Sequence, residues 1–382
     1  HALAPDSDLV HASLAEGNRQ IKNPSQALEH YSRAIQLDPQ KTSHLIKLGN
    51  LLRELGKQEE AIASYEQAIQ LEPDHAEAYA QMSIAMCELG HMEAALGCCK
   101  IAIEIDPHLS SAYYHQALLQ IRSGNTKEAL ASLNASLELH PQSLEAWLNK
   151  GLLLMQEKDF INAISAYDRA IELGLNSVEM FQNRALCHKE LAQFDKAIDD
   201  LETALDLNPT HAISLMALGT ISHNLNRYDS ALRLYTQAIA HEPTRAEAYS
   251  NLGAVLFDLN RFEDAITTLE AAIELNPNAV IAWNNLGSSY KQLHQFDKAL
   301  TAFDRALKLD SKNIEALCYK GLTLQDQKKM DKALSCYEQA LAIDPDNSLA
   351  LWNKAFGILL TGDFRNGWPA YEARWQHKKL NL

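Results

Sequence analysis

The chain has 382 residues, with 49 acids against 34 bases and a formal net charge of −15. That balance argues against nucleic acid, which is bound through a basic face that displaces counterions. No run approaches the ~18 uncharged apolar residues of a membrane span, and an apolar share of 47% is too high for a disordered chain.

At about 100–200 residues per domain the length suggests two or three domains, but an internal period replaces that estimate. The start, His1-Ala2-Leu3-Ala4-Pro5, has neither an initiator Met nor a signal peptide's basic segment and apolar run, and reads as trimmed. Eight of the 11 prolines then fall on one lattice, Pro39, Pro73, Pro107, Pro141, Pro209, Pro243, Pro277 and Pro345, with every gap 34 or a multiple of it. With this proline as position 32, repeats begin at Asp8, Thr42, Ala76, Ser110, Leu144, Val178, Ala212, Ala246, Val280, Ile314 and Ser348. Residues 1–7 form a flank, and 8–381 are expected to be a single array of eleven repeats, the last atypical or capping.

Within each repeat, apolar residues recur at helical spacing over roughly positions 1–14 and 18–31. Position 15 often holds a turn residue, as in Gly56, Gly90, Gly124 and Gly362. The proline at position 32 ends the second helix. Position 8 is always small, and position 20 is Ala in ten repeats and Gly367 in the last. Position 27 is Ala in nine, with Ser136 and Arg374 as exceptions. These let helix axes approach, while bulky residues at position 24, such as Tyr65 and Phe303, fill the space between them. One helical hairpin cannot bury its face alone, but stacked neighbours can.

Three repeats depart from the pattern. Repeat 5 ends in Glu172-Leu173-Gly174-Leu175, with Gly as the helix terminator, and repeat 9 ends in Leu309-Asp310-Ser311. Neutral drift and softer joints both fit these two departures. In the last repeat Pro369, which favours a first turn, predicts a second helix that starts late. Trp368, Tyr371 and Trp375 there form either a plain cap or an aromatic docking patch.

The lattice resembles the tetratricopeptide repeat family, most clearly over residues 246–279, where Tyr249, Leu252, Gly253, Ala265, Leu269, Ala272 and Pro277 stand at the family's positions. The resemblance spans essentially the whole chain. It implies an all-α, right-handed superhelix of helix pairs, with the first helix of each pair lining a concave groove. The string from Gly362 to Trp375 is similar to the segment that often closes such arrays in bacterial proteins where a glycosyltransferase-like domain follows. Either the end at Leu382 is a cut in a larger protein, or the resemblance is local to this string.

No phosphate loop, dinucleotide fingerprint, zinc-protease motif or nucleophile elbow is present in the sequence. The six cysteines, Cys87, Cys98, Cys99, Cys187, Cys318 and Cys336, show no C-x-x-C and read as structural thiols of a reducing compartment. His188 and His223, for which the sequence points to no carboxylate or thiol partner, are expected to make a poor metal site.

Position 6 of the first helix is the informative column: Ser13, Lys47, Gln81, His115, Asn149, Asn183, Ala217, Asn251, Asn285, Tyr319, Asn353. An amide offers both donors and an acceptor, which suits the backbone of an extended peptide. The column is similar to the asparagine ladder in the repeat domain of O-linked N-acetylglucosamine transferases. That resemblance implies peptide-backbone contacts for Asn149, Asn183, Asn251, Asn285 and Asn353. Bonds within the stack are the competing use of these amides.

Position 2 is acidic in five repeats (Glu77, Glu145, Glu179, Glu247, Glu315), and so is position 13 (Glu54, Glu88, Glu190, Asp258, Asp326). If inward-facing, these favour a neutral or basic peptide. The basic clamp of repeat proteins that hold chaperone tails is missing around Asn50. The expectation is therefore a non-catalytic, cytoplasmic scaffold that binds an extended partner segment, with no cofactor, metal or nucleic acid. The alternatives are the recognition arm of a larger glycosyltransferase-like enzyme and a self-associating scaffold.

Overall fold

A computed structural model describes residues 7–372. Among the described residues there are twenty-two α-helices and no strand. The chain divides into two compact units, His1–Asn176 and Ser177–Leu382.

The first unit holds α1 (Asp8–Gln20), α2 (Pro24–Leu37), α3 (Thr42–Glu54), α4 (Gln58–Leu71) and α5 (Ala76–Glu88). It continues with α6 (Met92–Ile105), α7 (Ser110–Arg122), α8 (Thr126–Leu139), α9 (Leu144–Gln156) and α10 (Phe160–Glu172). The second unit holds α11 (Val178–Glu190), α12 (Phe194–Leu207), α13 (Ala212–Asn224), α14 (Tyr228–His241), α15 (Ala246–Asp258) and α16 (Phe262–Leu275). After these come α17 (Val280–Gln292), α18 (Phe296–Leu309), α19 (Ile314–Asp326), α20 (Met330–Ile343), α21 (Ser348–Leu360) and α22 (Phe364–Glu372).

First helices thus occupy positions 1–13 of the repeat and second helices, for the most part, 17–30. The turn between them is set by hydrogen bonding as much as by residue type. Position 15 is left-handed in every repeat, whether it is Gly56 (φ 75) or Ala192 (φ 57). The N–H of position 16 donates back to the carbonyl of position 11, as from Lys57 to Leu52 at 2.9 Å and from Asp159 to Leu154 at 2.8 Å. This six-residue return satisfies carbonyls that the helix end leaves open.

The second helices end on an extended residue at position 31. Its side chain often accepts the N–H two residues on, as Asp106 does from His108 (2.9 Å) and Asn208 from Thr210 (3.1 Å). Repeat 9 ends in the same way, with Asp310 accepting from Lys312 at 3.0 Å, although Ser311 replaces the proline. Repeat 5 does not. Gly174 sits at φ 95 and has no side chain to accept, and Leu175 N–H donates to the Ala170 carbonyl at 3.0 Å. There α10 is 13 residues long where the other second helices from α2 to α20 have 14, and the boundary between the two units follows at Asn176.

The core lies in the small-residue columns. At position 20 the alanines Ala27, Ala61, Ala95 and Ala265, among others, are fully buried, as are Ala34, Ala68 and Ala272 at position 27. Where position 8 is Gly, the ring or branched chain at position 24 usually fills the space. A Cβ on Gly49 would come within 2.5 Å of the Tyr65 ring, and one on Gly287 within 2.7 Å of Phe303. Most of the buried tyrosines keep a polar outlet, as Tyr65 Oη donates to Asn50 Oδ1 at 2.7 Å and Tyr31 Oη to Glu16 at 2.8 Å.

Successive first helices also pack on one another: α3 on α5 and α5 on α7 in the first unit, and α11, α13, α15, α17, α19 and α21 in order in the second. In the last repeat, α22 starts at Phe364 with Pro369 inside it, earlier than its sequence predicts. Asp363 explains the early start. Its side chain accepts from Asn366 N–H at 3.1 Å and its carbonyl from Gly367 N–H at 2.8 Å, so the first turn is anchored before the proline is reached.

Candidate functional site

Position 6 lies midway along each first helix, and its side chains meet different fates in the two units. In the first unit Ser13 Oγ donates to the Leu9 carbonyl (2.8 Å) and Gln81 Nε2 to Glu77 (2.6 Å). His115 Nδ1 lies 3.1 Å from the Ala80 carbonyl, and burial holds this imidazole below its ordinary pKa, so it stays neutral and donates there. Asn149 Nδ2 donates both to Tyr114 Oη (3.1 Å) and to the Glu145 carbonyl (2.9 Å). Lys47 is exposed.

In the second unit Asn183, Asn251 and Asn285 are half-exposed, and their amides make no hydrogen bond among the described residues. Ala217 is apolar, and Tyr319 stacks on Phe303 with ring centroids 6.3 Å apart. Asn353 is 6% exposed, and its amide nitrogen is buried without a partner among the described residues. Of the five predicted asparagines, three therefore present an uncommitted amide.

The acidic columns divide as well. Position 13 carboxylates pair with a base at position 12 of the preceding repeat: Glu54 with Arg19, Glu88 with Arg53 (3.1 Å), Asp258 with His223 (2.6 Å) and Asp326 with Lys291 (2.9 Å). Glu190 instead meets its neighbour Lys189 at 3.1 Å. This ladder has a sequence signature, a base followed 35 residues later by an acid, as in Arg19 and Glu54. At position 2, Glu77 accepts from Ser111 (3.1 Å) and Glu315 from Asn284 (3.1 Å). Glu145, Glu179 and Glu247 are exposed, with carboxylates that meet no partner among the described residues.

In the terminal repeat, Trp368 is 53% exposed and meets Tyr371 edge-on at 5.9 Å, while Tyr371 also packs at 5.1 Å on Trp352. Trp375 lies outside the described residues. All six cysteines are free and buried, and burial pushes the thiols of Cys99 and Cys187 up to about 11. No group of three or more metal-ligating side chains occurs among the described residues. No helix there is long and apolar enough to cross a membrane.

Sequence models of the tetratricopeptide repeat match residues 114–176 and 184–240, 224–290, and 280–313 with 314–347, and a TPR repeat model matches 49–90. No curated protein matches the chain at a significant level. Among solved structures, yeast Tom70 is similar at 18% identity and a TM-score of 0.48, covering 97% of this chain and 92% of its own. The pilF protein of Pseudomonas aeruginosa is similar at 19% identity and a TM-score of 0.49, over 54% of this chain and 94% of its own. YrrB, described as a TPR protein with an unusual peptide-binding site, is 25% identical with a TM-score of 0.40, over 50% of this chain and 97% of its own. The matched segments together span more than half of the sequence and follow its 34-residue period, so the chain belongs to the tetratricopeptide repeat family.

Proposed function

We propose that this protein is an interaction scaffold whose first helices hold an extended, neutral to basic segment of a partner by its backbone. The observation that carries this reading is the set of uncommitted amides at Asn183, Asn251 and Asn285, which recur at one position of the repeat. Each can donate to a peptide carbonyl and accept from a peptide N–H, so binding tolerates many side chains. Charge selects among sequences. The position 13 acids are neutralised within the stack, whereas Glu179 and Glu247, in the same unit as the three amides, remain to attract a basic segment. Six buried, unpaired thiols support a reducing compartment such as the cytoplasm.

The test is a titration of the full chain with a blocked Lys–Ser–Ala peptide and its Glu–Ser–Ala counterpart. The lysine peptide should bind more tightly, and Asn251→Ala with Asn285→Ala should weaken it while the melting temperature holds. Unchanged binding in that double variant would remove the amides from the site.

A further inference from the structure

The second unit holds a cleft of about 400 Å³ lined from α16, α17 and α18, away from the asparagine column. Trp283 and Tyr290 stand two turns apart on one face of α17. Each ring is fixed at its polar end. The indole Nε1–H donates to the Pro277 carbonyl at 2.9 Å, and Tyr290 Oη donates to Glu270 Oε1 at 2.7 Å. Burial, reinforced by Glu270, pushes the Tyr290 phenol up to about 12, so it remains a donor to that carboxylate. Glu274 lies one turn beyond Glu270 on α16, exposed and with no ion pair or hydrogen bond among the described residues.

The cleft already holds one cation of its own: Lys298 Nζ lies 5.2 Å from the centroid of the Tyr290 ring. The indole has no such companion. Trp147, at the equivalent position of repeat 5, makes the same bond to Pro141 but has Lys150 over its ring at 5.0 Å. In repeat 9 the residue equivalent to Lys150 is Leu286, so the face of Trp283 is left without a cation. The cleft therefore combines a fixed, open indole, a second fixed ring and two carboxylates, one of them uncommitted.

We propose that this cleft binds an arginine side chain displayed by a partner protein, with the guanidinium stacked on Trp283 and bonded to Glu274 and the free oxygen of Glu270. Arginine fits better than lysine, because a planar guanidinium stacks on an indole and donates in parallel to carboxylates. Lys298 opposes the guest by charge and holds the Tyr290 end of the cleft. The site uses none of the position 6 amides, so it stands or falls apart from the groove reading.

The test follows the indole N–H resonances of the full chain during titration with N-acetylarginine amide and with its neutral isostere N-acetylcitrulline amide. The Trp283 resonance should shift saturably with arginine, with citrulline weaker by roughly tenfold. Glu274→Gln should weaken arginine roughly three- to tenfold, and Lys298→Gln should strengthen it roughly twofold, each with an unchanged helical spectrum. Equal responses to the two probes, an arginine titration unaffected by Glu274→Gln, or an equal shift at Trp147 would each overturn the proposal.

Discussion

Asn149 and Asn251 occupy the same place in their repeats, yet Asn149 donates twice within the fold and the Asn251 amide donates to nothing among the described residues. Part of the difference comes from one repeat back. Asn149 follows a repeat with Tyr114 at position 5, whose hydroxyl takes the amide, whereas Asn251 follows Met216 and Asn285 follows Ser250. The first unit satisfies most of its polar column internally, and the second leaves three amides open. A repeat column is thus a set of opportunities, and the neighbour decides whether each serves stability or binding.

Four variants break or sharpen this contrast. The largest effect is expected from Gly287→Ala, where the new methyl meets the Phe303 ring at 2.7 Å. Calorimetry should show a loss of about 1–3 kcal/mol from overpacking, while the folded fraction still binds the lysine peptide. Next, Asn251→Ala with Asn285→Ala should lower peptide affinity by roughly tenfold, at about 0.5–1.5 kcal/mol for each amide, and leave unfolding unmoved. Asn149→Ala should do the reverse, costing about 1 kcal/mol in a denaturant titration because Tyr114 loses its partner, with peptide affinity unchanged. The smallest effect is at Ala192, which holds φ 57. Ala192→Gly should stabilise the chain by about 0.5–1 kcal/mol without altering binding, separating stability from recognition in the second unit.

Most of the fold was legible because the period is written in residues with narrow uses. Alanines at positions 20 and 27 are buried for want of space, as at Ala61 and Ala68, and glycine at position 8 answers the ring at position 24. The turns were less legible. Ala192 and Lys158 adopt the same left-handed conformation as Gly56, because the returning hydrogen bond fixes the turn whatever the residue. Proline also proved a marker of the second helix's end rather than its cause. Asp310 ends α18 without one, whereas Gly174, lacking the side chain of Asp310, ends α10 differently.

The start of α22 is set by the Asp363 cap, a signal in the sequence that competes with Pro369 and acts before it is reached. At the candidate site, the sequence marked the asparagines but not which of them are committed. That depends on contacts 35 residues away, such as Asn149 with Tyr114. The acids at position 13 likewise depend on a base 35 residues earlier, which pairs with them across the stack.

The most direct measurement follows the side-chain amide resonances of the full chain as the blocked Lys–Ser–Ala peptide is added. Asn183, Asn251 and Asn285 should shift together and saturate with the binding curve, while Asn149 stays fixed. Peptide binding that moves Asn149 instead, or none of the four, would contradict the account.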